Sequence, residues 1–217
     1  MSIKRLRERI ARRGRQAGLE IPQALVEGLE RYYLELARWN RKINLTAFEL
    51  TDDGTDAAVD RLLIEPVVAS KHIPGNATSL LDIGSGGGSP AVPMKLARPE
   101  LGLTMVEVKV RKSVFLRQVS RSLGLERTTV ENARFEELLA RPDLHEGVDV
   151  VSIRAVKVDP STLLTIQAFL KPGGTLLNFT AIAEPPSPPP PLRLRAVHTL
   201  IAENQSRLAV LLKQRIG

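Results

Sequence analysis

Leu80-Leu81-Asp82-Ile83-Gly84-Ser85-Gly86-Gly87-Gly88-Ser89-Pro90 is a short apolar run followed at once by a cluster of glycines. The apolar residues suit a strand of a parallel sheet that is covered on both faces. Glycine removes a Cβ where the backbone must turn at positive φ or let a ligand come close. Ala91 to Pro93 then open a helix, whose free N–H groups and positive dipole end point into the same space. Strand, turn and helix in this order make a nucleotide-shaped pocket at the carboxyl edge of a sheet.

The spacing narrows the choice of nucleotide. An acid stands two residues before the first glycine, giving Asp82-x-Gly84-x-Gly86-x-Gly88. The dinucleotide fingerprint needs a third glycine where this chain has Ser89, which argues against an NAD-dependent enzyme. An acid just ahead of the glycines fits a ligand that carries a cation, as S-adenosylmethionine does in its sulfonium and ammonium groups. Asp82, Gly84, Ser85, Gly86, Gly88 and Ser89 are therefore candidate cofactor residues. Glu107 ends the next apolar run, Leu103-Thr104-Met105-Val106, about 20 residues on, where a ribose-binding carboxylate is expected.

Outward from this turn the pattern alternates. Strands are expected at Leu80 to Ile83, Leu103 to Val108, Thr128 to Glu131, Val148 to Ile153 and Thr175 to Phe179. Helices are expected at Ala91 to Arg98, Lys112 to Leu123, Phe135 to Ala140 and Pro160 to Leu170, the last capped by Asp159 and ended by Lys171-Pro172-Gly173-Gly174. Alternation of this kind predicts an α/β fold, a doubly wound and mostly parallel sheet with helices on both faces. Glu184 to Pro191 is proline-rich and reads as an extended loop. Leu192 to Leu200 and Arg207 to Leu212 lie close enough in the chain to pair as a closing hairpin, which brings the strands to seven.

Ahead of the turn, Leu25, Leu29, Tyr32, Leu36, Trp39 and Ile43 recur at helical spacing and form one apolar face. Ala57 to Ser70 reads as a second amphipathic helix. The first fifteen residues hold seven cations (Lys4, Arg5, Arg7, Arg9, Arg12, Arg13, Arg15) against Glu8 alone, in a chain of net charge +7. Such a block is expected to be disordered or a solvated helix, and to attract nucleic acid.

With 217 residues the chain suits one domain plus an appendage. No apolar run approaches the ~20 residues of a membrane span, and no signal-peptide core is visible. The chain has no cysteine, and its three histidines, His72, His145 and His198, are too scattered to suggest a metal site. These features lead to the expectation of a cytoplasmic protein without membrane contact or bound metal.

Ligand-binding residues of open α/β sheets gather at the carboxyl ends of the strands. Four places then face one crevice: the glycine turn, Glu107, Arg134-Phe135-Glu136, and Arg154. Phe135 is placed to flank an adenine, and Glu107 to hold ribose hydroxyls. Arg111 and Lys112 open a helix, where cations are mildly unfavourable, so they are candidates for phosphate contact. No nucleophile–base set and no carboxylate pair stands out. That absence is compatible with methyl transfer to an unprotonated nitrogen, which needs placement rather than a base.

The chain resembles the ribosomal RNA small subunit methyltransferase G family, also called glucose-inhibited division protein B. Trp39-Asn40-Arg41-Lys42-Ile43-Asn44-Leu45-Thr46-Ala47 is similar to the family's W-N-x-x-I-N-L-T-A segment. Leu81 to Pro93 resembles its glycine turn. Val106-Glu107 with Arg111-Lys112 and Phe115-Leu116, Arg134-Phe135-Glu136 and Ser152-Ile153-Arg154-Ala155 resemble three further motifs.

The resemblance implies a class I methyltransferase fold with an N-terminal helical extension, residues 1–56 forming the extension and 57–217 the methyltransferase domain. It implies methylation of guanine N7 in small-subunit ribosomal RNA with S-adenosylmethionine as cofactor. The RNA partner would be the free RNA or a subunit assembly intermediate, and the protein a monomer. Cofactor contacts are implied at Gly84, Ser89, Phe135, Glu136 and Arg154, with Glu107 on the ribose. RNA or target-base contacts are implied at Arg111, Arg134 and Arg154, the last being the candidate catalytic residue. The chain departs from the family pattern at Ser89-Pro90-Ala91 (F-P-G), at Arg61 to Pro66 (R-H-x-x-D-S) and at Thr180-Ala181 (K-G). A methyltransferase for another substrate, or a non-catalytic RNA-binding protein keeping the fold, stays open at this point.

Overall fold

The computed structural model describes residues 2–156 and 158–215. Seven strands form one sheet: β1 Ser79–Ile83, β2 Gly102–Val106, β3 Thr128–Glu131, β4 Val148–Arg154, β5 Leu170–Thr180, β6 Leu192–Ile201 and β7 Ser206–Lys213. Their order is β3-β2-β1-β4-β5-β7-β6. The first five strands are mutually parallel, whereas β7 runs antiparallel to both β5 and β6. The order reverses between β1 and β4, so the crevice beyond their carboxyl ends is the switch point where such sheets bind ligands.

The helices are α1 Ser2–Gln16, α2 Gln23–Asn40, α3 Asp56–Val59, α4 Glu65–Ser70, α5 Ala91–Ala97, α6 Val110–Ser122 and α7 Pro160–Gln167. Phe135–Ala140 is a 3₁₀ turn. Each face of the sheet carries its own core. On one, Leu80, Leu103, Met105 and Val150 share a core with α2, α5 and α6 through Leu29, Tyr32, Val92, Phe115 and Leu116. On the other, Leu81, Ile83, Val106, Val151 and Ile153 pack against Leu138, Leu163 and Ile166. Both faces are apolar because successive residues of a strand point to opposite sides.

Three sequence expectations are corrected. The basic arm is neither disordered nor merely solvated, since α1 buries Leu6 and Ile10 completely. Its arginines find acids far along the chain: Arg7 pairs with Glu30 at 2.8 Å, Arg12 with Asp56 at 2.7 Å, and buried Arg13 with Asp60 at 2.5 Å. The Asp60 hydrogen bond holds the Arg13 guanidinium above its ordinary range, although burial opposes it. Secondly, Ala57 to Ser70 is not one α-helix. Asp60–Ile64 forms a π-turn between α3 and α4, in which the Glu65 N–H reaches back to the Asp60 carbonyl. Lastly, Lys171-Pro172-Gly173-Gly174 does not follow a helix that reaches Leu170; it belongs to β5, at a register shift against β4. Lys171 Nζ is anchored there to Asp149 Oδ1 at 2.7 Å.

Candidate active site

The glycine turn is built by its own backbone and by what packs beneath it. Gly84 N and Ser85 N both donate to the Val106 carbonyl, at 2.9 and 3.0 Å. Gly84 has φ +73°, and a Cβ there would lie 2.9 Å from Val156. Gly88 has φ +87°, and its Cβ would meet Val92 at 3.0 Å and Leu116 at 3.3 Å. Gly88 is thus required for packing of the turn on α5 and α6, and it lines neither of the two cavities described below. The Ser85 hydroxyl donates to the Asp82 carbonyl at 3.0 Å.

Asp82 is also placed beneath the turn. Its Oδ1 accepts from the Ser152 hydroxyl at 2.6 Å, and its Oδ2 is buried without a partner. Burial pushes this carboxyl up to about 6, against the pull of Ser152, Ser85 and Arg154. Asp82 lines neither of the cavities described next. Expected to face a cationic ligand, it instead forms part of the floor.

Glu107 stands where the sequence puts it. Its Oε2 accepts from Gly86 N at 2.9 Å and its Oε1 from Lys109 N at 2.7 Å. Asn132 holds the same bend from outside, donating to the carbonyls of Glu107 (2.8 Å) and Val108 (3.0 Å). A carboxylate can accept about four hydrogen bonds, so Glu107 keeps acceptor capacity beyond these two.

Two cavities meet at Gly84 and Glu107. One, of about 290 Å³, is lined by Ile83, Val106, Val108, Arg134, Phe135 and Glu136 among others. It is apolar on the sheet side, where Ile83, Val106 and Val108 lie. The other, of about 350 Å³, is bounded by Ser85, Gly86 and Ser89 of the turn and by the cations Arg61, Lys109, Lys112 and Arg154. The helical extension supplies its far wall through Tyr32, Leu36, Leu45, Thr46 and Phe48. Among the candidate RNA residues Lys112 and Arg134 line these cavities, while Arg111 is exposed outside them.

The extension is fixed to the turn by specific contacts. Tyr32 donates its hydroxyl to the Gly87 carbonyl at 2.7 Å. Asn40 Oδ1 accepts from the backbone of Leu45 (2.9 Å) and Thr46 (3.0 Å), which sets Leu45 against Gly87. Trp39 packs on Phe115 with ring centroids 5.7 Å apart. The segment from Trp39 to Thr46 therefore shapes one side of the site.

A family model described as "rRNA small subunit methyltransferase G" matches residues 25–183. The chain belongs to this family. A ribosomal RNA small subunit methyltransferase G from Myxococcus xanthus is 32% identical over 180 residues, covering 82% of this chain and 79% of that protein. The protein of the same name from a Roseiflexus strain is 39% identical over 139 residues, 64% of this chain and 58% of its own length. In fold, the chain is similar to a putative O-methyltransferase from Klebsiella pneumoniae, with a TM-score of 0.58 at 14% identity over 90% of this chain and 92% of that one.

Set in the methyltransferase G family, the departure at Ser89 acquires a structural use. Ser89 donates its hydroxyl to the Leu62 carbonyl at 2.8 Å and accepts from Arg154 Nη1 at 3.1 Å. Thr180 Oγ1 accepts from Ile182 N at 3.0 Å and lies at a separate, proline-roofed cavity. Sequence reasoning passed over Lys109, Asn132, Arg61 and Glu65. Only Arg61 and Glu65 carried a signal, as the cation and acid kept in a segment that otherwise departs from the family pattern.

Proposed function

We propose that this chain is an S-adenosylmethionine-dependent methyltransferase acting on guanine N7 of small-subunit ribosomal RNA. The observation that carries the reading is Glu107, a buried carboxylate facing both cavities at the switch point of a seven-stranded sheet. The residues present fit the cofactor. Phe135 and Val108 would flank the adenine, Glu107 would hold the ribose hydroxyls, and Gly84 to Gly86 would pass close beneath the sugar and sulfur. Arg154 lines the second cavity, and its Nη2 has an N–H beyond the one given to Glu65, a donor for the carboxylate end of the ligand.

When bound, the cofactor supplies an electrophilic methyl carbon on a sulfonium. Guanine N7 carries a free lone pair at neutral pH, so no residue has to remove a proton from it. The chain's part is to hold donor and acceptor in line and to keep water out, which can lower a barrier by about 7–11 kcal/mol. The cations Arg61, Lys109 and Lys112 at the mouth fit the phosphates of an RNA strand, with Arg111 extending the same charge outward. N7 lies in the deep groove of A-form RNA, so a loop or an incompletely assembled subunit suits the site better than a closed helix.

The reading is tested by calorimetric titration of S-adenosylmethionine and by transfer of a labelled methyl group to undermodified small subunits. Glu107→Gln turns one of its two acceptors into a donor facing a backbone N–H. It should weaken cofactor binding about tenfold or more. Undiminished binding by this variant would remove Glu107 from the site.

A further inference from the structure

Glu65, which opens α4, does not line the cofactor cavity, yet it is tied to the residue that does. Its Oε2 meets Arg61 Nη1 at 2.9 Å and Arg154 Nη2 at 3.1 Å, with side-chain exposures of 0% for Glu65 and 7% for Arg154. Stripping water from such charges costs several kcal/mol per ion, and apolar residues of similar volume often give equal stability. Stability alone is therefore a weak reason for this arrangement.

The backbone serves the same end. In the π-turn Asp60–Ile64, the Glu65 N–H is used on the Asp60 carbonyl. The next residue, Pro66, has no N–H to offer. The Arg61 carbonyl instead accepts from Arg154 Nη1 at 2.5 Å. Ser89 Oγ accepts from the same nitrogen at 3.1 Å, and the guanidinium lies 4.4 Å over the Phe179 ring. Four elements thus fix one guanidinium, and its Nε–H stays buried without an acceptor. π-turns recur at functional sites for this kind of local re-aiming.

We propose that Glu65 is a positioning residue that sets the Arg154 guanidinium to receive the carboxylate of the bound methyl donor. This rests on the reading of the cavity given above. The Arg61 carbonyl and the Glu65 carboxylate act as a two-point cradle, and the second N–H of Arg154 Nη2 is left for the ligand. Asp at position 65 keeps the charge, whereas Gln keeps the shape and loses it.

The test compares two nucleosides by calorimetry. S-adenosylhomocysteine carries the carboxylate and 5′-methylthioadenosine lacks it. Glu65→Gln should weaken the first about tenfold and leave the second within about twofold, while Glu65→Asp retains both. In an Arg154→Gln background, adding Glu65→Gln should cost nothing further, because the residue it positions is gone. That doubly substituted chain loses both opposed charges together, so it serves if Glu65→Gln alone does not fold. Unchanged affinity for S-adenosylhomocysteine in Glu65→Gln, equal loss of both nucleosides, or a further loss in the double variant would each overturn the role of Glu65. A wild-type chain that binds neither nucleoside would instead refute the methyltransferase reading itself.

Discussion

At Asp82 a single residue separates what the chain's pattern tells from what it hides. An acid ahead of the glycines was expected to face the ligand, but strand alternation puts it on the same side as Leu80, under the helices. Leu81 and Ile83 take the other side. Glu107 was legible because it follows its strand and is free to turn into the crevice. Burial raises Asp82 to about 6, so the folded state holds its proton more tightly than the unfolded chain. The stability this contributes is present below about pH 4 and lost as pH rises through about 6, amounting to on the order of 3 kcal/mol. Urea denaturation of wild type and Asp82→Asn across this window should show the difference. The wild type is expected to weaken relative to the variant as pH rises, and parallel curves would count against it.

Among the elements, the strands and the glycine turn could be read from periodicity, and α1 could not. A run of cations gives no sign of partners that lie 23, 44 and 47 residues away in Glu30, Asp56 and Asp60. Nor does helical periodicity reveal a π-turn, since widening the helix by one residue leaves the apolar pattern of Ala57 to Ser70 nearly intact. Because α1 is part of the core, its removal would test folding as well as RNA affinity. Leu6→Ala should cost about 2–5 kcal/mol in chemical denaturation, and a cost near zero would mean that α1 is not packed as described. The outward face is probed separately, by replacing exposed Arg5 and Arg15 with glutamine. If this face attracts RNA, the logarithmic salt dependence of binding should become shallower by about 1 to 2 while the fold is unchanged. An unaltered slope would assign α1 to structure alone.

Across the whole molecule, the extension and the sheet share one core, and together they enclose the site. Tyr32 and Leu45 from the extension meet Gly87 of the turn, while Arg61 and Glu65 reach Arg154 at the end of β4. The sequence motifs showed where the ends of the strands would gather. The wall supplied from the extension depends on contacts between distant segments, which no local pattern records. In the proposed function this enclosure presents a methyl donor to N7 of a guanine in small-subunit RNA. This reading is tested most directly by incubating the chain with labelled S-adenosylmethionine and undermodified small subunits, then mapping the product by N7-sensitive strand cleavage. One labelled guanine with cleavage at that position is expected. Label that resists N7 cleavage, or no label in the RNA at all, would contradict it.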